Sequence, residues 1–381
     1  MCIRDSVGAA LLSANERRLA AEYEEARAAF ERAATLAAEL REPQFEAQAH
    51  LGVAGVLTYA GDEGLIAALT RHVGQAERLF RETGDQGGEI EAGLIGLEAH
   101  WASGRLSDLI VQGERLLERA REIGDAAREL QICSRLVPAL GQIGNTTLAD
   151  RYEAVTQELV ARLGARVPPW SRVSRCARLR GRGDLDAAAR CCEELLTLAL
   201  AEGDPLLEIA SFRHRAEMLL ESHRYVEAEP LLVKALDLST RTGERWNRTE
   251  LTAESALAAA GTGDFERAGR LLAEAHDLIR PSDMYAVAYT AACEAEVRQL
   301  EGRDDDAIAK FRESLALFAQ TEYLPQKGVV HLEFAERLLR LGRAEDAAEQ
   351  LTIAESLIGP QSAGRAARIE SLRDVLGARK R

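Results

Sequence analysis

Lysine is nearly missing from this chain. Of 381 residues only Lys234, Lys310, Lys327 and Lys380 are lysine, so arginine supplies the other 44 of the 48 basic side chains. That ratio reads as genomic composition bias rather than function. None of the four lysines follows a glycine, which excludes the Gly-Lys-Ser/Thr loop that cradles nucleotide phosphates. Basic charge is short overall: 62 acidic residues give a formal charge of −14. Direct nucleic-acid binding by the whole chain is not expected, because it needs a basic surface. Aromatic residues are only 5%, which argues for close-packed alanine and leucine rather than a core of large rings. No stretch approaches 18 apolar residues, so no spanning helix and no membrane partner are expected. The start, Met1-Cys2-Ile3-Arg4-Asp5-Ser6, carries charges and leads into no signal-type apolar core, and a cytoplasmic location is expected.

The residues that carry common chemistries are absent or badly spaced. The six cysteines, Cys2, Cys133, Cys176, Cys191, Cys192 and Cys293, form no CxxC and no Cys/His set with zinc spacing. They read as small apolar residues in a reducing compartment, with Cys176 and Cys192 on predicted buried faces. The seven histidines form no HExxH pair. Gly261-Thr262-Gly263 with Gly269 has the wrong spacing for a dinucleotide loop and no strand before it. No catalytic residue, cofactor or metal is expected, and no enzyme. Period-2 alternation, the mark of a half-buried strand, is missing as well.

What the chain has is a repeat. Gly183-Asp184-Leu185-Asp186-Ala187-Ala188 returns as His223-Arg224-Tyr225-Val226-Glu227-Ala228, then as Gly263-Asp264-Phe265-Glu266-Arg267-Ala268. It returns again from Gly302 and from Gly342, so the steps are 40, 40, 39 and 40 residues. Weaker copies start at Gly144, Gly104, Gly64 and Ala21, with Gly61-Asp62-Glu63 read as a longer turn. A second series, Gly84, Gly124, Gly164, Gly203 and Gly243, stands 20 residues after the turns. A fixed step of this size marks a repeat architecture.

Each unit reads as two helices. Over 264–279, apolar residues fall at Phe265, Ala268, Leu271, Leu272, Ala275, Leu278 and Ile279, the spacing of an amphipathic helix. Asp264 suits its N-cap and Pro281 its end. Residues 247–260 form the partner helix, and the Gly261-Thr262-Gly263 turn between them forces antiparallel packing. The sixth position of the units is Ala26, Ala149, Ala188, Ala228, Ala268, Ala307 and Ala347, with Leu69 and Leu109 as exceptions. A small side chain there lets paired helices approach to roughly 8–10 Å.

These features resemble the tetratricopeptide repeat: a small residue late in the first helix, a Gly-x-aromatic turn, an alanine three residues on and a large apolar residue four after that. The run from His223 to Leu232 matches best. The unit of about 40 residues exceeds the usual 34 and is similar to arrays in large bacterial regulators, namely LuxR-type ATP-dependent activators and nucleotide cyclases linked to AAA-type ATPases. The resemblance implies an all-α fold: an α-solenoid of about nine antiparallel helix pairs in a right-handed superhelix, closed by a C-terminal capping helix. Residues 1–6 would be a non-repeat start, possibly truncated, and 361–381 a capping helix with a basic tail. The array would fill 7–360, in units near 7–43, 44–85, 86–125, 126–165, 166–204, 205–244, 245–281, 282–323 and 324–360.

In such arrays the positions six and three before the turn face a concave groove. The first column reads Glu98, Pro138, Ala177, Glu217, Leu257, Glu296, Glu336; the second reads Trp101, Gly141, Arg180, Leu220, Ala260, Gln299, Leu339. Glu98, Trp101, Arg180, Glu217, Glu296 and Glu336 are the candidate partner-binding residues, and the four glutamates in one column suit a basic partner or, equally, a solvated helix face. Pro138 should bend its helix. The arginines 172, 175, 178, 180 and 182 suit either an acidic or phosphorylated ligand or acidic neighbours in adjacent units. The expected function is a non-enzymatic scaffold that binds a protein or peptide in the groove, as the sensing arm of a bacterial signalling or transcription-regulatory protein with an ATPase or cyclase domain upstream. The alternative is a small-molecule sensor, for which Trp101, Trp170 and Trp246 offer a fluorescent readout.

Overall fold

The computed structural model describes residues 3–20, 22–60, 64–358 and 362–379, with residues 3–5, Ala60, Trp170 and Arg379 described by their backbone alone; the Gly61-Asp62-Glu63 turn therefore lies outside the described residues. Those residues form nineteen helices and no strand. Nine antiparallel pairs follow one another. They are α1 (Ile3–Leu19) with α2 (Tyr23–Glu39), α3 (Pro43–Ala60) with α4 (Leu65–Thr83), and α5 (Gln86–Ala102) with α6 (Leu106–Glu122). Next come α7 (Ala126–Gln142) with α8 (Thr146–Leu163), α9 (Pro169–Gly181) with α10 (Leu185–Glu202), and α11 (Pro205–Glu221) with α12 (Tyr225–Thr242). The last are α13 (Arg248–Gly261) with α14 (Phe265–Leu278), α15 (Met284–Leu300) with α16 (Asp304–Phe318), and α17 (Leu324–Arg340) with α18 (Ala344–Ile358); α19 (Ala363–Arg379) closes the series. The fold is a right-handed tetratricopeptide-like α-solenoid.

The glycine ladder sets the corners. Both glycine series take positive φ, from Gly64 at 83° to Gly342 at 77°, the left-handed region that glycine enters without a side-chain clash. Where the ladder lacks a glycine, His223 holds the same corner at φ 54°. The acidic or amide residue after the corner then caps the next helix. Asp264 accepts from Arg267 N at 3.0 Å, Asp184 from Ala187 N at 3.1 Å, and Asn145 from Leu148 N at 3.2 Å. One side chain thereby satisfies an amide that the helix itself leaves open.

Packing is local rather than central. Apolar side chains gather in a string of separate clusters along the chain, each shared by neighbouring helices. The seven alanines at the sixth position are all completely buried, and Leu69 and Leu109 nearly so. Ala268→Trp is therefore expected to overpack the α13–α14 contact and cost about 1–3 kcal/mol, measured as a lowered urea midpoint; an unchanged midpoint would remove the alanine from the account of close packing.

One expectation about the cysteines is corrected. Cys176 on α9 and Cys191 on α10 form a disulfide, while Cys133, Cys192 and Cys293 are free and buried. The pair sits on facing sides of one helical hairpin with 5.4 Å between Cα atoms, within the range a disulfide spans. No sequence spacing rule reports that proximity, because it depends on hairpin geometry.

The superhelix winds tightly enough for its turns to touch. Glu322 N donates to Gly104 O at 3.1 Å, and Tyr323 Oη to Trp101 O at 2.7 Å. The Glu322 carboxylate accepts from Ser107 N at 2.6 Å and Ser107 Oγ at 2.7 Å, so a residue 215 positions away caps the start of α6. Arg245 N reaches Tyr59 O at 3.0 Å. At the far end Ala363 N donates to Arg182 O at 3.1 Å, and a Cβ placed on Gly183 would lie 2.5 Å from Gly364 N. Gly183 thus serves both its own corner and the seat of α19. That helix buries Ile369 and Leu376 while Val375 stays exposed. Its arginines are taken up within the chain: Arg365 by Glu221 at 3.0 Å, Arg368 by Glu333 at 2.7 Å, and Arg373 by Glu355 at 2.6 Å. These three pairs attach α19 to the preceding units; the expected basic tail at Lys380 and Arg381 lies outside the described residues.

Candidate functional site: a cavity on the inner face of the superhelix

Because the turns meet, the concave side is not an open trough. It holds a partly open cavity of about 500 Å³, within the range that holds a ligand of drug size. Its wall is built from the first helices of successive pairs, the elements that line the inside of the winding. Trp101 comes from α5, Pro138 from α7, Ala177 from α9, Glu217 from α11, Glu250 from α13 and Tyr285 from α15. Tyr323 and Arg365 complete it from α17's N-cap and from α19.

The wall is charged, and nearly every cation on it is matched. Arg135 pairs with Glu98 at 2.7 Å, Arg178 with Glu153 at 3.0 Å, Arg180 with Glu217 at 2.6 Å, and Arg182 with Asp150 at 2.6 Å. Arg213 donates Nε and Nη2 to Glu254 Oε1 at 3.1 and 3.0 Å, and Nη1 to Asn247 Oδ1 at 3.0 Å. His214 Nδ1 lies 2.7 Å from Glu217 Oε2. Burial pushes the Glu217 carboxyl up, but Arg180 and His214 outweigh it and hold the group well below the usual carboxylate range. On α13 the balance reverses. Burial raises Glu254 to about 7 against the charge of Arg213, and raises Glu250 to about 8, with Asp283 adding to the effect and Arg213 opposing it.

The structure places the six candidate residues as follows. Glu98, Trp101, Arg180 and Glu217 line the cavity. Arg180 and Glu217 also face a second void of about 50 Å³, which contains Glu296 and Tyr289. Glu296 is half-buried there, and desolvation followed by the charge of Glu333 holds its carboxyl well above the ordinary value. Glu336 faces neither void; it lies beneath α19, bonded to Arg368 and, at 2.8 Å, to Arg340. The column of glutamates therefore does not present four free negative charges to a basic partner, since Glu98, Glu217 and Glu336 are each paired with an arginine of the same chain and burial raises the pKa of Glu296. Of the clustered arginines, Arg172 lies 3.8 Å from Glu202 and Arg178, Arg180 and Arg182 make the pairs given above, whereas Arg175 is exposed. Neighbouring units supply the carboxylates for Arg178, Arg180 and Arg182, and the same hairpin supplies Glu202 for Arg172.

Sequence reasoning missed Arg213, Glu250 and Asp283, and named Trp246 only as a fluorescent reporter. Trp246, Glu250 and Asp283 stand at or before the first turn of a first helix and Arg213 midway along α11, all ahead of the two groove columns. A signal was there: Glu250 and Glu254 interrupt an otherwise small and apolar stretch, and residues 249–260 are buried without exception. Among the described residues no group of three or more His, Cys, Asp or Glu side chains is arranged to hold a metal ion, and no helix is long and apolar enough to cross a membrane.

Among solved structures, the chain resembles a Rap protein complexed with Competence and Sporulation Factor, with a TM-score of 0.67, 11% identity and coverage of 98% of this chain and 99% of that one. Weaker likenesses are the apo form of RapI, with a TM-score of 0.48, 12% identity and coverage of 92% and 97%, and a signal-transduction ATPase with a tetratricopeptide repeat sensor from Pyrococcus horikoshii. The latter has a TM-score of 0.45 and 16% identity, over 92% of this chain and 54% of that one. No protein-family model and no curated protein matches the chain. At such identities the likeness shows the fold alone.

Proposed function

We propose that this chain is a non-enzymatic sensor module that takes a short peptide into the cavity on its superhelix axis, as the sensing arm of a larger signalling or regulatory protein. The observation that carries this reading is the cavity on the inner face. It is ringed by first helices from the third pair to the ninth, so an occupant touches distant repeats at once and biases how tightly the superhelix winds. A ligand that prefers one winding shifts the population toward it. The similar Rap protein is complexed with Competence and Sporulation Factor, which supports a ligand-binding role for this architecture. A small-molecule inducer is the second reading, favoured by the size of the cavity.

The test uses randomised pentapeptide pools, ultrafiltration against the full chain, and mass spectrometry of what is retained. Trp101 and Trp246 both line the cavity, so retention should be accompanied by a change in tryptophan emission. Ala177→Trp, which fills the cavity from α9, is expected to abolish retention without lowering the melting temperature by more than a few degrees. Equal retention by the Ala177→Trp variant would place the peptide elsewhere and end this reading; retention only of metabolites would favour the second.

A further inference from the structure

The charges around the cavity do not cancel evenly. The wall arginines 135, 178, 180, 182, 213 and 365 each have a carboxylate of this chain within ion-pair distance. Asp283 is also fully used. Its Oδ1 accepts from Ala286 N at 3.1 Å, capping α15, and its Oδ2 accepts from Arg280 Nη2 at 3.2 Å. Glu250 is different. It sits in the first turn of α13, is 5% exposed, lines the cavity, and its Oε2 has no hydrogen-bond partner. The cations that face it are committed elsewhere, Arg213 to Glu254 and Asn247, and Arg280 to Asp283.

A buried carboxylate oxygen without a partner is costly and calls for a donor. The surroundings favour a cationic one. Tyr285, Tyr323 and Trp246 line the same cavity, and aromatic faces attract cations. Trp246 already carries one, since the Arg280 guanidinium lies 5.7 Å from its ring centroid. Tyr285 and Tyr323 meet edge to face with centroids 4.8 Å apart, and both line the cavity beside the Glu250 and Asp283 carboxyl groups, where Glu250 gives up its proton when a cation arrives. An anionic ligand would meet Glu250 and Asp283 there and find the arginines already paired.

We propose that the Glu250 corner of the cavity is a subsite for a primary ammonium group of the ligand, received by the Glu250 carboxylate beside Tyr285 and Trp246. This rests on the reading of the cavity as a ligand site and adds the chemistry that selects the occupant. The ammonium belongs to a peptide's free amino terminus, to a lysine side chain, or to a free polyamine, and four probes separate these sources. One pentapeptide pool has free amino termini and no lysine or arginine; a second is acetylated and contains lysine; a third is acetylated and contains neither; the fourth probe is spermidine.

Retention of the first or second pool, with the third passing through, is the expected result. Glu250→Gln should weaken that retention about tenfold or more, as loss of one partner of a buried charge pair does. Glu250→Asp, which keeps the charge, should weaken it less. Both variants should melt no lower than the parent, which separates recognition from folding. Spermidine retained alone, and lost in Glu250→Gln, would uphold the subsite and end the peptide reading. Retention of the doubly uncharged third pool as well as the others, or undiminished retention in Glu250→Gln, would overturn the subsite and leave the peptide reading standing. Retention of nothing would overturn both.

Discussion

Arg213→Met is expected to destabilise the chain by about 3–5 kcal/mol, the usual cost of leaving a buried charge without its partner. Arg213 on α11 bridges to α13 through Glu254, which is completely buried, and lies 3.7 Å from Glu217 Oε1 as well. Without the guanidinium, two buried carboxyl groups lose a shared cation, and Glu254 must take up a proton or draw in water. The double variant Arg213→Met/Glu254→Met should recover most of the loss, because replacing a buried ion pair by apolar groups of similar volume is often neutral or better. Urea unfolding followed by tryptophan emission suits the measurement, since Trp246 stands just before α13 and reports the central units even where a repeat protein unfolds in stages. A single-variant loss under about 1 kcal/mol, within the range of an exposed pair, would show that this network does not hold the central repeats together.

Glu250→Gln is expected to change how stability depends on pH. The Glu250 carboxyl is raised to about 8 in the folded chain from an ordinary 4.5. Between those values the folded state holds a proton that the unfolded state has released. Stability must therefore fall as pH rises through this window, by up to tenfold in the folding constant per pH unit, and level off above it. Glutamine removes the effect. Parent and variant should match below about pH 4.5 and diverge toward pH 8, where the variant is the more stable by a factor on the order of a hundred or more. Glu254 on the same helix, raised to about 7, keeps a smaller slope of the same sign in the variant. Arg213 from α11 opposes the shift, and Asp283 at the start of α15 adds to it. Parallel pH profiles for parent and variant would show that Glu250 is hydrated and charged in the folded chain, and so not the dry, unpartnered group on which the ammonium subsite depends.

Much of the fold was legible because its determinants are local. A glycine at each corner, an acidic cap after it and an alanine at the sixth position are decided within a few residues of one another, so each leaves a mark at a fixed step in the sequence. The α13–α14 hairpin is the case in point. Helices expected over 247–260 and 264–279 are found at Arg248–Gly261 and Phe265–Leu278, bounded by the expected glycine corner and proline. His223 departs from the glycine pattern yet keeps the left-handed corner, because packing on both sides leaves the chain no other course.

The site was only half legible. Glu98, Trp101, Arg180 and Glu217 fall on columns counted from the turn, and all four line the cavity. Arg213, Glu250 and Asp283 do not follow from that count, since they matter only once the superhelix brings far units together. The disulfide between Cys176 and Cys191 has the same origin. Neither cysteine carries a spacing signature, and only the facing of α9 and α10 sets them side by side.

The sequence by itself determined the helical hairpin, its period and its close pairing, since these depend on backbone conformation and side-chain size within one unit. The pitch of the winding was decided by the tertiary structure alone. Small angles between neighbouring pairs accumulate until Glu322 meets Ser107 and Ala363 meets Arg182. That accumulated rotation narrows an open groove into a deep, partly open cavity and leaves Glu250 lining it with Oε2 unpartnered.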